Sequence, residues 1–109
     1  MSSTEITVDN TPFTCQRLSD VTLLDVAVVY VIICVGDGGK WNVIDVGQSG
    51  EAGTRLGNHP RRECWEEKCP NGNIWVCVHP MPSKQFTKQD RLDLERSIRG
   101  KRFNLCGDR

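Results

Sequence analysis

The sequence predicts a small α/β domain of the α+β type, with a three-stranded, mostly antiparallel sheet flanked by helices. Two apolar runs rich in β-branched residues, Val28–Val35 and residues 41–46, are separated by a turn that contains Gly38 and Gly39. Because glycine accepts the positive φ of a tight reversal, the two runs should pair as a hairpin. A third run over residues 74–79, bounded by turn-forming residues, completes the expected sheet.

A short helix is expected directly after the hairpin. Gly47 ends the second strand, and Ser49 is a good N-cap for a helix over residues 50–58. Arg55 and His59 are four residues apart, so a helix places both side chains on one face.

Two more helical segments follow. Residues 61–68 are expected to form one or two helical turns, with Cys64 facing inward. Thr87 and Asp90 resemble a capping box, which predicts a helix that continues to about Arg99. The tail from Phe103 to Arg109 is expected to pack back on the core through Phe103 and Leu105.

The chain is long enough for one domain with a single core. Residues 1–27 are interpreted as an N-terminal extension packed on that core, and residues 28–109 as the domain itself. Within the extension, Ile6 and Val8 alternate with polar neighbours and favour a short edge strand. Residues 11–27 mix turn formers with apolar anchors and are expected to form a loop.

The charge is balanced overall but unevenly distributed. The chain has 14 basic and 14 acidic residues. Residues 1–54 hold two basic and seven acidic residues, a net charge of −5, and residues 55–109 hold twelve and seven, a net charge of +5. The total argues against an undirected polyanion binder, whereas the cationic second half fits a phosphate-facing surface or ordinary mixed-charge helix faces.

The composition favours a cytoplasmic protein. No apolar run approaches the ~20 residues that span a membrane, and the first ten residues lack the basic and apolar segments of a secretory signal. The six cysteines are therefore expected to be free thiols in a reducing compartment. Their irregular spacing gives little support to a structural zinc site, which remains a third interpretation.

The hairpin and the segment after it resemble the GIY-YIG nuclease family. Residues 28–30, Val-Val-Tyr, stand where that family has Gly-Ile-Tyr, and residues 45–47, Asp-Val-Gly, stand where it has Tyr-Ile-Gly. Arg55 and His59 match an arginine and a histidine that follow in the family. This chain departs from the family pattern at Asp45, which stands where the family has its second tyrosine.

The resemblance continues to the C-terminal part of the chain. Glu95 matches a glutamate that the family carries on a later helix, and Asn104 matches a late asparagine. The resemblance implies a metal-dependent endonuclease that hydrolyses phosphodiester bonds in nucleic acid, DNA being the expected form. Glu95 would bind Mg²⁺ or Mn²⁺ as a hard oxygen ligand.

The other matched residues have roles that the resemblance also implies. Tyr30 would orient or deprotonate the attacking water, Arg55 would stabilise phosphoryl charge, and His59 would share a proton or bind the phosphate. Asn104 would support the site. Asp45 is either a second metal-binding oxygen, a base, or the sign of a chain that keeps the fold without the chemistry.

Each candidate also has a structural interpretation. Tyr30 is equally typical of a half-buried strand, and Glu95 stands four residues from both Arg91 and Arg99, where it can form ion pairs on a helix surface. The alternative function is a non-catalytic module on the same fold that binds nucleic acid or a partner protein.

Overall fold

The computed structural model describes residues 4–20, 26–50 and 60–107. Within these ranges the chain forms an antiparallel sheet of five strands and two α-helices. The strands are β1 (Thr4–Val8), β2 (Thr11–Arg17), β3 (Val28–Val35), β4 (Trp41–Ser49) and β5 (Ile74–Pro80), and the helices are α1 (Arg62–Lys68) and α2 (Lys88–Arg99). The strands are arranged in the order β1-β2-β5-β3-β4, so β1 and β4 are the edges.

The predicted hairpin is confirmed, but β4 continues through Gly47 to Ser49 and does not end at Gly47 as predicted. Strand β3 pairs antiparallel with β4, with Val35 opposite Trp41 at the turn and Tyr30 opposite Gly47 further along. Gly38 and Gly39 have φ of 74° and 79°, which the turn requires and which residues with a Cβ rarely adopt.

The expectation of three strands and an N-terminal loop was wrong. Strands β1 and β2 form a second hairpin, and β2 extends the sheet by pairing with β5. Asp9 and Asn10 make its turn with φ of 51° and 70°, the paired positive values of a type I′ turn. Pro12 conceals the strand signal, because proline normally argues against a strand with neighbours on both sides. Phe13 is nevertheless buried in the core.

The core occupies both faces of the sheet. On one face Tyr30 and Ile32 belong to the same buried cluster as Trp65 of α1. On the other face Val31 is clustered with Ile98 of α2. A strand covered on both sides needs apolar residues at every position, which explains why β3 reads as a continuous apolar run.

The predicted start of α2 is confirmed, whereas the C-terminal tail is only partly as expected. Thr87 Oγ1 accepts a hydrogen bond from the Asp90 N–H at 3.1 Å, and an Asp90 carboxylate oxygen accepts one from the Thr87 N–H at 2.9 Å. In the tail, Leu105 is buried as predicted. Phe103, which was expected to pack against the core, is 89% exposed.

The expectation of free thiols is contradicted, because all six cysteines form disulfides. The pairs are Cys15–Cys77, Cys34–Cys69 and Cys64–Cys106. Their sequence separations of 62, 35 and 42 residues follow no short-range motif, so only the fold brings the partners together. The cysteines therefore no longer support a reducing compartment. The described residues contain no helix with the length and apolar character needed to cross a bilayer.

Candidate functional site

Asp45 lies at an irregularity in the edge strand β4. Ile32 is opposite Asp45, but Ile33 is opposite Val43, so the pairing skips Ile44. Such a bulge changes the direction in which neighbouring side chains leave the strand. The Asp45 side chain is consequently able to contact both helices, although these pack on opposite faces of the sheet.

The Asp45 carboxylate is fully buried and accepts four hydrogen bonds. Oδ1 accepts from the Val46 N–H at 2.8 Å and from Arg99 Nη2 at 2.7 Å. Oδ2 accepts from Arg61 Nε at 2.9 Å and from Trp65 Nε1 at 2.7 Å. Two oxygens with about four lone-pair sites are saturated by these donors, so Asp45 has no capacity left for a metal or a substrate proton.

Arg99 connects α2 to the rest of the structure. Besides Asp45, its Nη2 donates to the Val46 carbonyl at 2.6 Å and to the Cys106 carbonyl at 2.9 Å. The Cys106 N–H in turn donates to the Ile44 carbonyl at 2.8 Å. Strand β4, helix α2 and the C-terminal tail therefore meet at one guanidinium.

Tyr30 is packed inside the protein and is only 1% exposed. It stands opposite Gly47, and a Cβ at Gly47 would collide with the Tyr30 hydroxyl and Cζ. Tyr30 shares the cluster of the α1 face, whereas Glu95 is carried by α2 on the other face. The described structure places these two predicted site residues apart.

Glu95 opens instead onto a surface cavity beside the end of α2. This cavity, of about 580 Å³, is named here the arginine pocket. It is lined by Arg61, Leu92, Glu95, Arg96, Arg99, Gly100 and Gly107. Glu95 is only partly buried, and its Oε2 forms an ion pair with Arg99 Nε at 3.4 Å. Arg96 is exposed and forms no ion pair with any described residue.

Two features of the pocket hold its guanidinium groups in place. Gly107 has φ of 68°, and a Cβ there would collide with the Arg61 guanidinium, so glycine allows Arg61 to pack against the tail. Arg99 is fixed by Asp45, and its Nη1 is buried with no hydrogen-bond partner among the residues described. The fold therefore sets the positions of the Arg61 and Arg99 guanidinium groups in the pocket.

The residues around Glu95 do not fit the divalent metal ion that the resemblance implies. Glu95 is a single carboxylate already paired with Arg99, and it shares the pocket with two further guanidinium groups. Mg²⁺ needs hard oxygen ligands, and three nearby positive charges oppose a divalent cation. The parts of the chain that the structure describes contain no group of three or more histidine, cysteine, aspartate or glutamate residues able to hold a metal ion.

Asn104, the remaining predicted residue that the structure describes, does not line the pocket. Asn104 is exposed in the tail with φ of 61°, a conformation that asparagine tolerates better than most residues. Arg55, His59 and most of the predicted helix over 50–58 lie outside the described residues.

The sequence interpretation missed Arg61, Arg96 and Arg99 as site residues. Arg99 carried one usable signal, since it stands four residues after Glu95 and was recognised as a possible ion-pair partner. No such signal marked Arg61 in the sequence, because its contact with Asp45 depends on the path of the chain from β4 to α1.

No protein-family model, curated protein or solved structure matches this chain.

Proposed function

We propose that this protein is a non-catalytic module that binds nucleic acid through phosphate contacts in the arginine pocket. The supporting observation is the charge around the pocket. Three guanidinium groups line it, those of Arg61, Arg96 and Arg99. Arg96 forms no ion pair with a described residue, so its positive charge is available to an anion.

Arginine suits this role because its planar guanidinium can donate two parallel hydrogen bonds to a phosphate. Arg96 is the most available donor, since it is exposed and unpaired among the described residues. Arg99 adds a positive charge that Asp45 holds in place. The negative end of the α2 dipole opposes this attraction with a partial charge, whereas Arg96 carries a full positive charge.

The non-catalytic part of the proposal rests on Tyr30 and Asp45. A phenol that is 1% exposed and a carboxylate saturated by four donors are poorly available to a water molecule or a scissile phosphate. The metal-dependent endonuclease stays a prediction. Its test is cleavage of DNA and RNA with and without Mg²⁺ or Mn²⁺.

We also infer that the protein works in an oxidising compartment. Three disulfides that use every cysteine are typical of proteins outside the reducing cytosol. This proposal replaces the cytoplasmic location expected from the sequence. Recovery of the native protein from its source with thiol-blocking reagent present would show whether the cysteines are paired there.

The binding proposal is tested by fluorescence anisotropy with labelled single-stranded and duplex DNA over a series of salt concentrations. Arg96→Gln should weaken binding on every sequence and reduce the slope of log K against log salt by about one. Arg62→Gln is the matched control, because Arg62 is an exposed arginine that pairs with Glu66 outside the pocket.

Two outcomes would contradict the binding proposal. If Arg96→Gln and Arg62→Gln lost the same amount of affinity for DNA, the DNA would be attracted by the overall charge of the protein and not by the pocket. Binding of an acidic polypeptide in preference to DNA would point to a protein partner instead.

A further inference from the structure

The guanidinium of Arg91 is a buried charge without a counter-charge in the described part of the chain. Arg91 belongs to the first turn of α2 and is 5% exposed. Its Nε donates to Gln48 Oε1 at 3.1 Å, and its Nη1 donates to the Met81 carbonyl at 3.4 Å. Both acceptors are neutral, and no described carboxylate forms an ion pair with Arg91.

This burial is energetically unfavourable as it stands. Buried charges are normally paired, and the partial positive charge at a helix N-terminus raises the cost of a cation in the first turn. The adjacent acids on α2 are already engaged. Asp90 accepts from the Thr87 N–H in the helix cap, and Glu95 pairs with Arg99. Neutralisation of the Arg91 charge therefore requires an anion other than these two side chains.

We infer that Arg91, oriented by Gln48, binds a small oxyanion, namely a phosphate or carboxylate group, beside β4. A guanidinium has five N–H donors, and the bonds to Gln48 and Met81 use two of them, so three remain for an oxyanion. Gln48 is partly exposed, so its contact with Arg91 lies close to the protein surface.

This oxyanion site is separate from the arginine pocket. Arg91 precedes Arg99 by eight residues, which corresponds to about 12 Å along the helix axis. It does not line the pocket. Binding of an oxyanion by Arg91 therefore does not depend on whether Arg96 binds nucleic acid.

The test is thermal unfolding of the full chain in chloride buffer, with inorganic phosphate or acetate added at constant ionic strength. At a concentration about ten times Kd, the binding anion should raise Tm by several degrees. A response to phosphate or to acetate identifies which source of the oxyanion the site accepts. No response to either would overturn the inference.

Arg91→Met separates this site from a general effect of anions. It removes the charge while keeping an extended side chain, so it should melt at or above the wild-type Tm in chloride and lose the response to phosphate or acetate. Arg62→Gln is the matched control, because Arg62 is an exposed arginine outside both sites, and it should keep the response. An equal response in wild type and Arg91→Met would overturn the inference.

One further measurement keeps the test decisive if Arg91→Met fails to fold. The Arg91 Nε–H NMR signal of wild type should shift on titration with the anion, and an unchanged signal would contradict binding there.

Discussion

Asp45 Oδ1 accepts a 2.7 Å hydrogen bond from Arg99 Nη2, which joins the edge strand of the sheet to the last turn of α2. The other carboxylate oxygen accepts from Arg61 and from Trp65 of α1. One buried carboxylate thus holds helices from opposite faces of the sheet against the same strand. The residue that departs most from the nuclease pattern has a structural role here.

Asp45→Asn should destabilise the fold by about 3–5 kcal/mol, because it removes the negative charge from a buried ion pair and leaves two guanidinium groups beside a neutral amide. The measurement is the free energy of unfolding in denaturant. Glu66→Gln is the matched control, since it breaks an exposed ion pair with Arg62 and should change stability by about 0–1 kcal/mol.

Asp45→Tyr restores the residue found in the nuclease family and provides a second comparison. A phenol cannot replace four carboxylate hydrogen bonds, so this variant should lose stability without gaining cleavage activity. A folded Asp45→Tyr protein that cuts nucleic acid would contradict the structural role assigned to Asp45.

Gly47→Ala should destabilise the protein by about 1–3 kcal/mol, the usual cost of overpacking, because the new methyl group would collide with Tyr30. Gly50→Ala is the matched control, since a Cβ at Gly50 meets nothing within 4 Å. The cost of Gly47→Ala should fall in a Tyr30→Leu background. A cost that is unchanged in that background would place the strain elsewhere.

Intact mass spectrometry should find the oxidised chain lighter than the reduced chain by six hydrogen atoms, two for each of the three disulfides. Replacing Cys64 and Cys106 together by serine should cost about 4 kcal/mol of unfolding free energy by the chain-entropy relation. Alkylation of any cysteine in the native, unreduced protein would contradict the complete pairing.

The ion pair between Asp9 and Arg102 should make stability depend on pH. The two hydrogen bonds from the Arg102 guanidinium, at 2.9 and 3.2 Å, and its positive charge lower the pKa of Asp9 below its ordinary value of 3.8. The pair therefore contributes stability above pH 3.8, and this contribution is lost as pH falls through the lower pKa of the folded state.

Asp9→Asn tests this dependence. Its deficit in unfolding free energy against wild type should be present at neutral pH and should close in acid below pH 3.8. Glu67→Gln removes a carboxylate from an exposed helical position and serves as the control for net charge. A deficit of the same size at neutral and acid pH would contradict the contribution of the ion pair.

Local chemistry allowed prediction of the hairpin and of α2. The glycines of the turn and the capping box of Thr87 act over a few residues, so the sequence displays them directly. The disulfides and the pairing of Asp45 with Arg99 join residues that are distant in the chain, and their positions follow from topology. A single sequence carries no comparable signal for such contacts.

The central claim is that the protein binds nucleic acid in the arginine pocket without cutting it. The most direct test incubates labelled DNA and RNA with saturating protein and Mg²⁺ or Mn²⁺, then measures both the bound fraction and the strand length. The account predicts that wild type binds and leaves the strands intact, and that Arg96→Gln binds less. Strand cleavage that requires the metal and disappears in Glu95→Ala would contradict the account and support the endonuclease.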